Sequence, residues 1–172
     1  MIRYEESARA ISQIMPIHSY SLENLYRDQE HDWVVDLIPA VLAWVSGGTG
    51  QHIGPPFPFK IEQTVIGQPS QNHIIHLDWN IAALELEDSD VVARFTRMAT
   101  RRTPLLEQVP QLAAYGLALV AISVLMPGRR IVDMNFFVAP DLLFDLTPGA
   151  LRGVEVAGRT QGGLRALEKS RH

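Results

Sequence analysis

The stretch Pro140-Asp141-Leu142-Leu143-Phe144-Asp145-Leu146-Thr147-Pro148-Gly149-Ala150-Leu151-Arg152-Gly153-Val154-Glu155-Val156-Ala157-Gly158-Arg159 decides how this chain is read. Residues 142–146 read as a short strand, Thr147-Pro148-Gly149 is turn chemistry, and residues 153–156 read as a second strand. Strand alternation puts Glu155 and Ala157 on one face, with Val154 and Val156 on the other. Two strands joined at Pro148-Gly149 bring either Asp141 or Asp145 beside Glu155. Paired carboxylates of this kind suit Mg²⁺, a hard cation that prefers oxygen ligands and fills its remaining positions with water. An ion so held activates water and offsets charge on a scissile phosphate. The same residues also have a plain structural reading. Pro-Asp commonly opens a turn, Asp145 suits the approach to Gly149, and a Glu between two valines is an ordinary strand with its polar face outward.

Upstream, residues 112–126 are strongly apolar and read as a helix stopped by Pro127-Gly128, followed by a strand candidate at 130–138. Thr103-Pro104 opens the preceding helical stretch, and Pro110 breaks or restarts it. Asp88-Ser89 suits the start of a helix running to about residue 98 or 100. Residues 60–66 and 73–81 read as a hairpin. Residues 22–45 read as one broken helix or two, with Trp33, Leu37, Val41 and Trp44 on one stripe and Pro39 marking a kink or restart. Residues 5–15 have helical spacing before Pro16, and a last helix starts near 164. The Gly/Pro loop at 47–59 lacks the Gly-Lys-Ser/Thr ending of a Walker phosphate loop.

A hydrophobic fraction of 47% with 20% charged residues belongs to a globular chain, and 172 residues suffice for one domain with a real core. We read 1–172 as a single domain, with a possible division into a helical part, 1–54, and a sheet-containing part, 55–172. No cysteine is present, which excludes disulfides and thiolate metal sites and fits a cytoplasmic location. The first residues contain no apolar core of a secretory signal. The uncharged stretch 109–128 is interrupted by Pro110, Gly116 and Pro127 and falls short of the about 20 apolar residues a membrane span needs. No membrane partner is expected.

The net charge of −4 is unevenly spread: residues 1–93 carry 4 Lys/Arg against 13 Asp/Glu, and residues 94–172 carry 11 against 6. Such asymmetry marks an anion-binding surface, two halves that attract each other, or a head-to-tail oligomer. Arg94, Arg97 and Arg101 share a helix face with Arg102 beside them, able to track phosphates of a nucleic acid or to pair with the acidic half. His73 and His76 point to opposite strand faces and make no ready metal pair; His76 and Asp78 share a face. His31-Asp32 suits a helix start. Serine nucleophiles lack the Gly-x-Ser-x-Gly context.

Pro140-Asp141 followed by Glu155-Val156-Ala157 resembles the PD-(D/E)XK nuclease pattern. The blocks Ala113-Ala114-Tyr115-Gly116-Leu117-Ala118-Leu119-Val120-Ala121-Ile122 and Gly153-Val154-Glu155-Val156-Ala157-Gly158-Arg159 are also similar to those of uncharacterised bacterial proteins associated with that superfamily. The resemblance covers residues 104–172. It implies an α/β (or α+β) fold, with a central mixed sheet flanked by helices and a restriction-endonuclease-like core behind a helical N-terminal part. It implies Mg²⁺ held by Asp141 or Asp145 with Glu155, and Glu107 at the position of the extra acidic residue on the first core helix. The family's lysine position is Ala157; Arg159, two residues further on, is the candidate fixed cation, though not a proton acceptor. Such nucleases continue into a further strand, whereas 13 residues follow Arg159. Either the chain is cut short or a partner, a second copy or another protein, closes the fold. Two functions stay open: metal-dependent hydrolysis of nucleic acid, and a non-enzymatic binding or assembly role on an inactive nuclease-like core.

Overall fold

The structure, a computed structural model, describes residues 15–48, 54–64, 67–104, 107–135, 140–147, 150–154 and 156. In chain order, β1 (Ile17–Ser21) runs through a 3-10 turn into the short helices α1 (Leu25–Asp28), α2 (His31–Val34) and α3 (Leu37–Ala43), the last continued by a π-helical turn. The strands β2 (Phe57–Gln63) and β3 (Gln71–Asp78) follow, then the helices α4 (Ile81–Glu87), α5 (Val91–Ala99) and α6 (Val109–Leu125). The strands β4 (Ile131–Met134), β5 (Leu142–Thr147) and β6 (Ala150–Val154) complete the described elements. The expected helix at 5–15 and the last helix from 164 lie outside the described residues, Met15 apart.

The fold is mixed α/β, and the described residues form two three-stranded sheets, which corrects the expectation of one central sheet. The first is mixed, in the order β1-β3-β2, with β1 parallel and β2 antiparallel to β3. The second is antiparallel, in the order β4-β5-β6. Both edges of β3 and both edges of β5 are used within their own sheets, so neither central strand has a ladder free to join the other three. β1 was not anticipated. Its pairing with β3 joins a strand before residue 54 to one after it.

Local chemistry sets the element boundaries. β3 stops at Asp78 rather than running to residue 81, because the Asn80 side chain accepts from Ala83 N at 3.1 Å and starts α4. Asp88 accepts from Asp90 N through its side chain and from Val91 N through its carbonyl, which opens α5. Pro39 is the third residue of α3 and Pro110 the second of α6; both sit in a first turn, where the missing N–H has no helical partner to lose. Each proline therefore restarts a helix.

α6 is the central element. Apolar on all sides, it buries Leu112, Tyr115, Leu119, Val120 and Ile122 among others, as a helix without a polar face must. It packs on α3 at Gly116, where a Cβ would lie 2.5 Å from Val41 Cγ2 and 3.3 Å from the Leu37 carbonyl oxygen. Among the described residues no helix is long and apolar enough to cross a membrane. The second sheet turns Ile131, Leu142 and Phe144 into the same core.

Gln29, buried after α1, stitches the N-terminal helices to the second sheet. Its amide donates to the Arg129 carbonyl at 3.0 Å and to Ser123 Oγ at 3.3 Å, and its oxygen accepts from Ile131 N at 2.9 Å. A buried carboxamide with all these bonds made holds its neighbours in one arrangement.

Candidate functional site

β5 and β6 form the expected antiparallel pair, with Leu142 beside Val154, Leu143 beside Gly153 and Asp145 beside Leu151. Pro140 lies so close over Gly153 that a Cβ there would be 2.6 Å from Pro140 Cβ; only glycine admits the proline at that spot. Asp141 follows at the mouth of the pair. Its carbonyl accepts from Asn135 N at 2.7 Å, and its Oδ2 accepts from Val156 N at 2.6 Å. α6 contributes Tyr115, whose hydroxyl donates to the Asn135 carbonyl at 2.9 Å. Burial, and then the negative charge of Asp141, push the Tyr115 phenol up to about 12. It therefore stays a neutral donor at physiological pH.

Asp145 lies four residues along β5, about 13 Å at the rise of a strand. Its Oδ1 accepts from Arg130 N at 2.8 Å, while its own N–H donates to the Arg130 carbonyl. One ion cannot bind both aspartates at that separation, since ligand bonds to Mg²⁺ are about 2 Å long. Of the two, Asp141 stands at the Val154 end of the β5–β6 pair and Asp145 at the Leu151 end. Glu155, Ala157 and Arg159 lie outside the described residues. Glu107 is exposed in the turn before α6, eight residues from Tyr115 or about 12 Å along a helix axis. α6 thus brings Tyr115, and not Glu107, to Asp141. Among the described residues no three His, Asp or Glu side chains gather to hold a metal ion.

The four arginines of the expected cationic face divide. Arg94 forms an ion pair with the buried Asp88, which also receives the Tyr26 hydroxyl at 3.4 Å. Burial pushes the Asp88 carboxyl up, but Arg94, the Asp90 amide and Tyr26 outweigh it and hold the carboxyl below its usual range. Arg97, Arg101 and Arg102 remain exposed. Arg101 takes a left-handed backbone, φ 58°, as α5 closes with Arg102 N bonded to the Arg97 carbonyl and Arg101 N to the Met98 carbonyl.

His73 and His76 do alternate, His73 being buried, but the ring that meets His73 is His18 of β1, with Nε2 to Nδ1 at 3.2 Å. Burial, and secondly His18, lower the His73 pKa. Nothing in the local pattern announced this pair, because β1 itself carries no strong strand signal.

No protein-family model, curated protein or solved structure matches the chain.

Proposed function

We propose that the chain is a nuclease-like protein with a degenerate phosphodiester site, built by α6 and the β4–β5–β6 sheet around Asp141 and Glu155. The placement of Asp141 supports this reading: it sits behind Pro140 at the mouth of the β5–β6 pair, with Val156 N 2.6 Å from its carboxylate. At this end of the sheet the described residues supply Asp141 and, on β4, Asp133, whose Oδ2 accepts from Asn135 Nδ2 at 3.4 Å. They do not form a Mg²⁺ site unless Glu155 joins Asp141, with water completing the shell. Arg159 is the fixed cation assigned to the phosphate, in place of the lysine that Ala157 replaces.

A second reading is a binding or assembly protein without catalysis. It draws support from the commitment of both aspartates to main-chain amides, Asp141 to Val156 and Asp145 to Arg130. Cleavage of single- and double-stranded DNA and RNA with Mg²⁺ or Mn²⁺ separates the two. The nuclease reading expects cleavage by the wild type that Asp141→Asn and Glu155→Ala abolish. Equal cleavage in wild type and Glu155→Ala removes the metal site. Binding without any cleavage leaves the second reading.

A further inference from the structure

A pocket of about 430 Å³ opens where α1 meets the turn after α6, well away from Asp141 along the helix. Its walls include Arg27, Asp28, Ser123, Gly128, Arg129 and Arg130. The lining thus holds three arginines and one aspartate, and that carboxylate is already engaged. The Tyr20 hydroxyl donates to Asp28 Oδ2 at 2.7 Å, and Arg27 Nε donates to Oδ1 at 3.1 Å. Arg129 and Arg130 have no carboxylate at ion-pair distance among the described residues. Asp145 meets only the main chain of Arg130, and one Arg130 nitrogen donates to the Arg27 carbonyl at 3.3 Å. In a chain with net charge −4, two neighbouring cations without a carboxylate partner among the described residues stand out in a concavity.

The pocket is also held in place. Gln29 fixes the Arg129 carbonyl, Ile131 N and Ser123 from behind, so the segment carrying both arginines is set before any ligand arrives. Gly128, at φ +82°, makes the turn and leaves open space where a side chain would stand. The carbonyl end of α6 adds a partial negative charge of about half a unit. Three arginines still outweigh it together with Asp28 and with Asp145, whose carboxylate is spent on Arg130 N.

We propose that this pocket binds a phosphomonoester. Arginine forks match phosphate oxygens two at a time, and a phosphomonoester carries about −1.5 to −2 at neutral pH, which complements the cations left over here. The volume exceeds the needs of one phosphate and lies in the range of small-molecule sites, about 300–1,000 Å³, so the group esterified to the phosphate is accommodated too. The assignment does not depend on the Asp141 site.

The test is titration of the full chain with inorganic phosphate, with a 5′-mononucleotide and with acetate, followed by calorimetry and by amide chemical shifts. The expected result is saturable binding of phosphate and of the mononucleotide, the mononucleotide tighter, with shifts centred on residues 128–131 and little response to acetate. Arg129→Ala with Arg130→Ala weakens binding about tenfold or more, since the charge-assisted hydrogen bonds of both guanidinium groups are lost. The paired Lys replacements recover part of it, and Lys60→Ala on β2 changes nothing. Phosphate tighter than the mononucleotide assigns the pocket to the free ion and overturns the ester. Absence of saturable binding, shifts centred elsewhere, or equal affinity in the double variant overturns the site. The shift map of the wild type decides the matter even if the double variant does not fold.

Discussion

The side-chain oxygen of Gln29 accepts the main-chain N–H of Ile131 at 2.9 Å, across 102 positions of sequence, and both residues are buried. This bond joins the end of α1 to the first residue of the second sheet. Gln29→Ala strands the Ile131 N–H and the Arg129 carbonyl together. Each buried group left without a partner costs about 1–3 kcal/mol, so a loss of about 2–4 kcal/mol is expected in urea unfolding. Ser123→Ala, which removes its bonds with Gln29 and with the Tyr20 hydroxyl but strands no main-chain group, costs about 1 kcal/mol. Equal effects of the two variants would show that Gln29 is not the central member of the network.

Gly116→Ala tests the contact of α6 with α3. On an exposed helix this change gains about 1 kcal/mol in propensity. Here the added methyl meets Val41, a stiff β-branched side chain, and the Leu37 carbonyl. Overpacking of this kind costs about 1–3 kcal/mol, so the expected result is a lower melting temperature. A rise in stability would mean that the two helices have room to separate.

Arg101→Gly runs the other way. Arg101 occupies the left-handed position that closes α5, where a Cβ is disfavoured and glycine is preferred. A gain of about 1 kcal/mol is expected in thermal or chemical unfolding. Arg101→Ala keeps the Cβ and gains nothing.

Arg94→Ala leaves the buried Asp88 carboxylate without its cation, at a cost of about 3 kcal/mol near neutral pH. The folded pKa of Asp88 lies below the ordinary aspartate value of 3.8, so the stability it contributes is present above that pH. It is lost as pH falls through the lower folded value. The gap between wild type and variant should therefore narrow in acid. A gap independent of pH would assign the loss to packing alone.

His73 gives a second, separate pH window. Its folded pKa is lowered below 6.5, so the unfolded chain binds the proton more readily. The contribution is complete above 6.5 and is lost as pH falls through the folded value. Melting temperatures measured from about pH 7 down to about 5 should fall less steeply in His73→Gln, which lacks the titrating ring. Parallel curves for the two proteins would place the acid sensitivity elsewhere.

The strand pair that carries the two aspartates could be read from the chain. The Thr147-Pro148-Gly149 turn chemistry, and the alternation on either side of it, are local signals, and β5 and β6 pair as they imply. Separation of the two aspartates needed the register, which sets Asp141 near Val154 and Asp145 beside Leu151. The commitment of each carboxylate to an amide needed the fold, since Val156 N and Arg130 N lie fifteen residues away in sequence.

By itself, the sequence determined the helices α5 and α6, the β2–β3 hairpin, an interruption of the helical pattern at Pro39 and at Pro110, and the absence of thiolate chemistry. These follow from spacing, turn residues and composition, which act over a few neighbouring residues. Only the tertiary structure decided that there are two sheets rather than one, and that β1 runs parallel to β3 and brings His18 to His73. It also decided that Arg94 serves Asp88, and that Gln29 fixes the main chain beside Arg129 and Arg130. Those outcomes depend on which distant surfaces are buried together, because a hydrogen-bonding group or a charge is constrained by whatever removes its water.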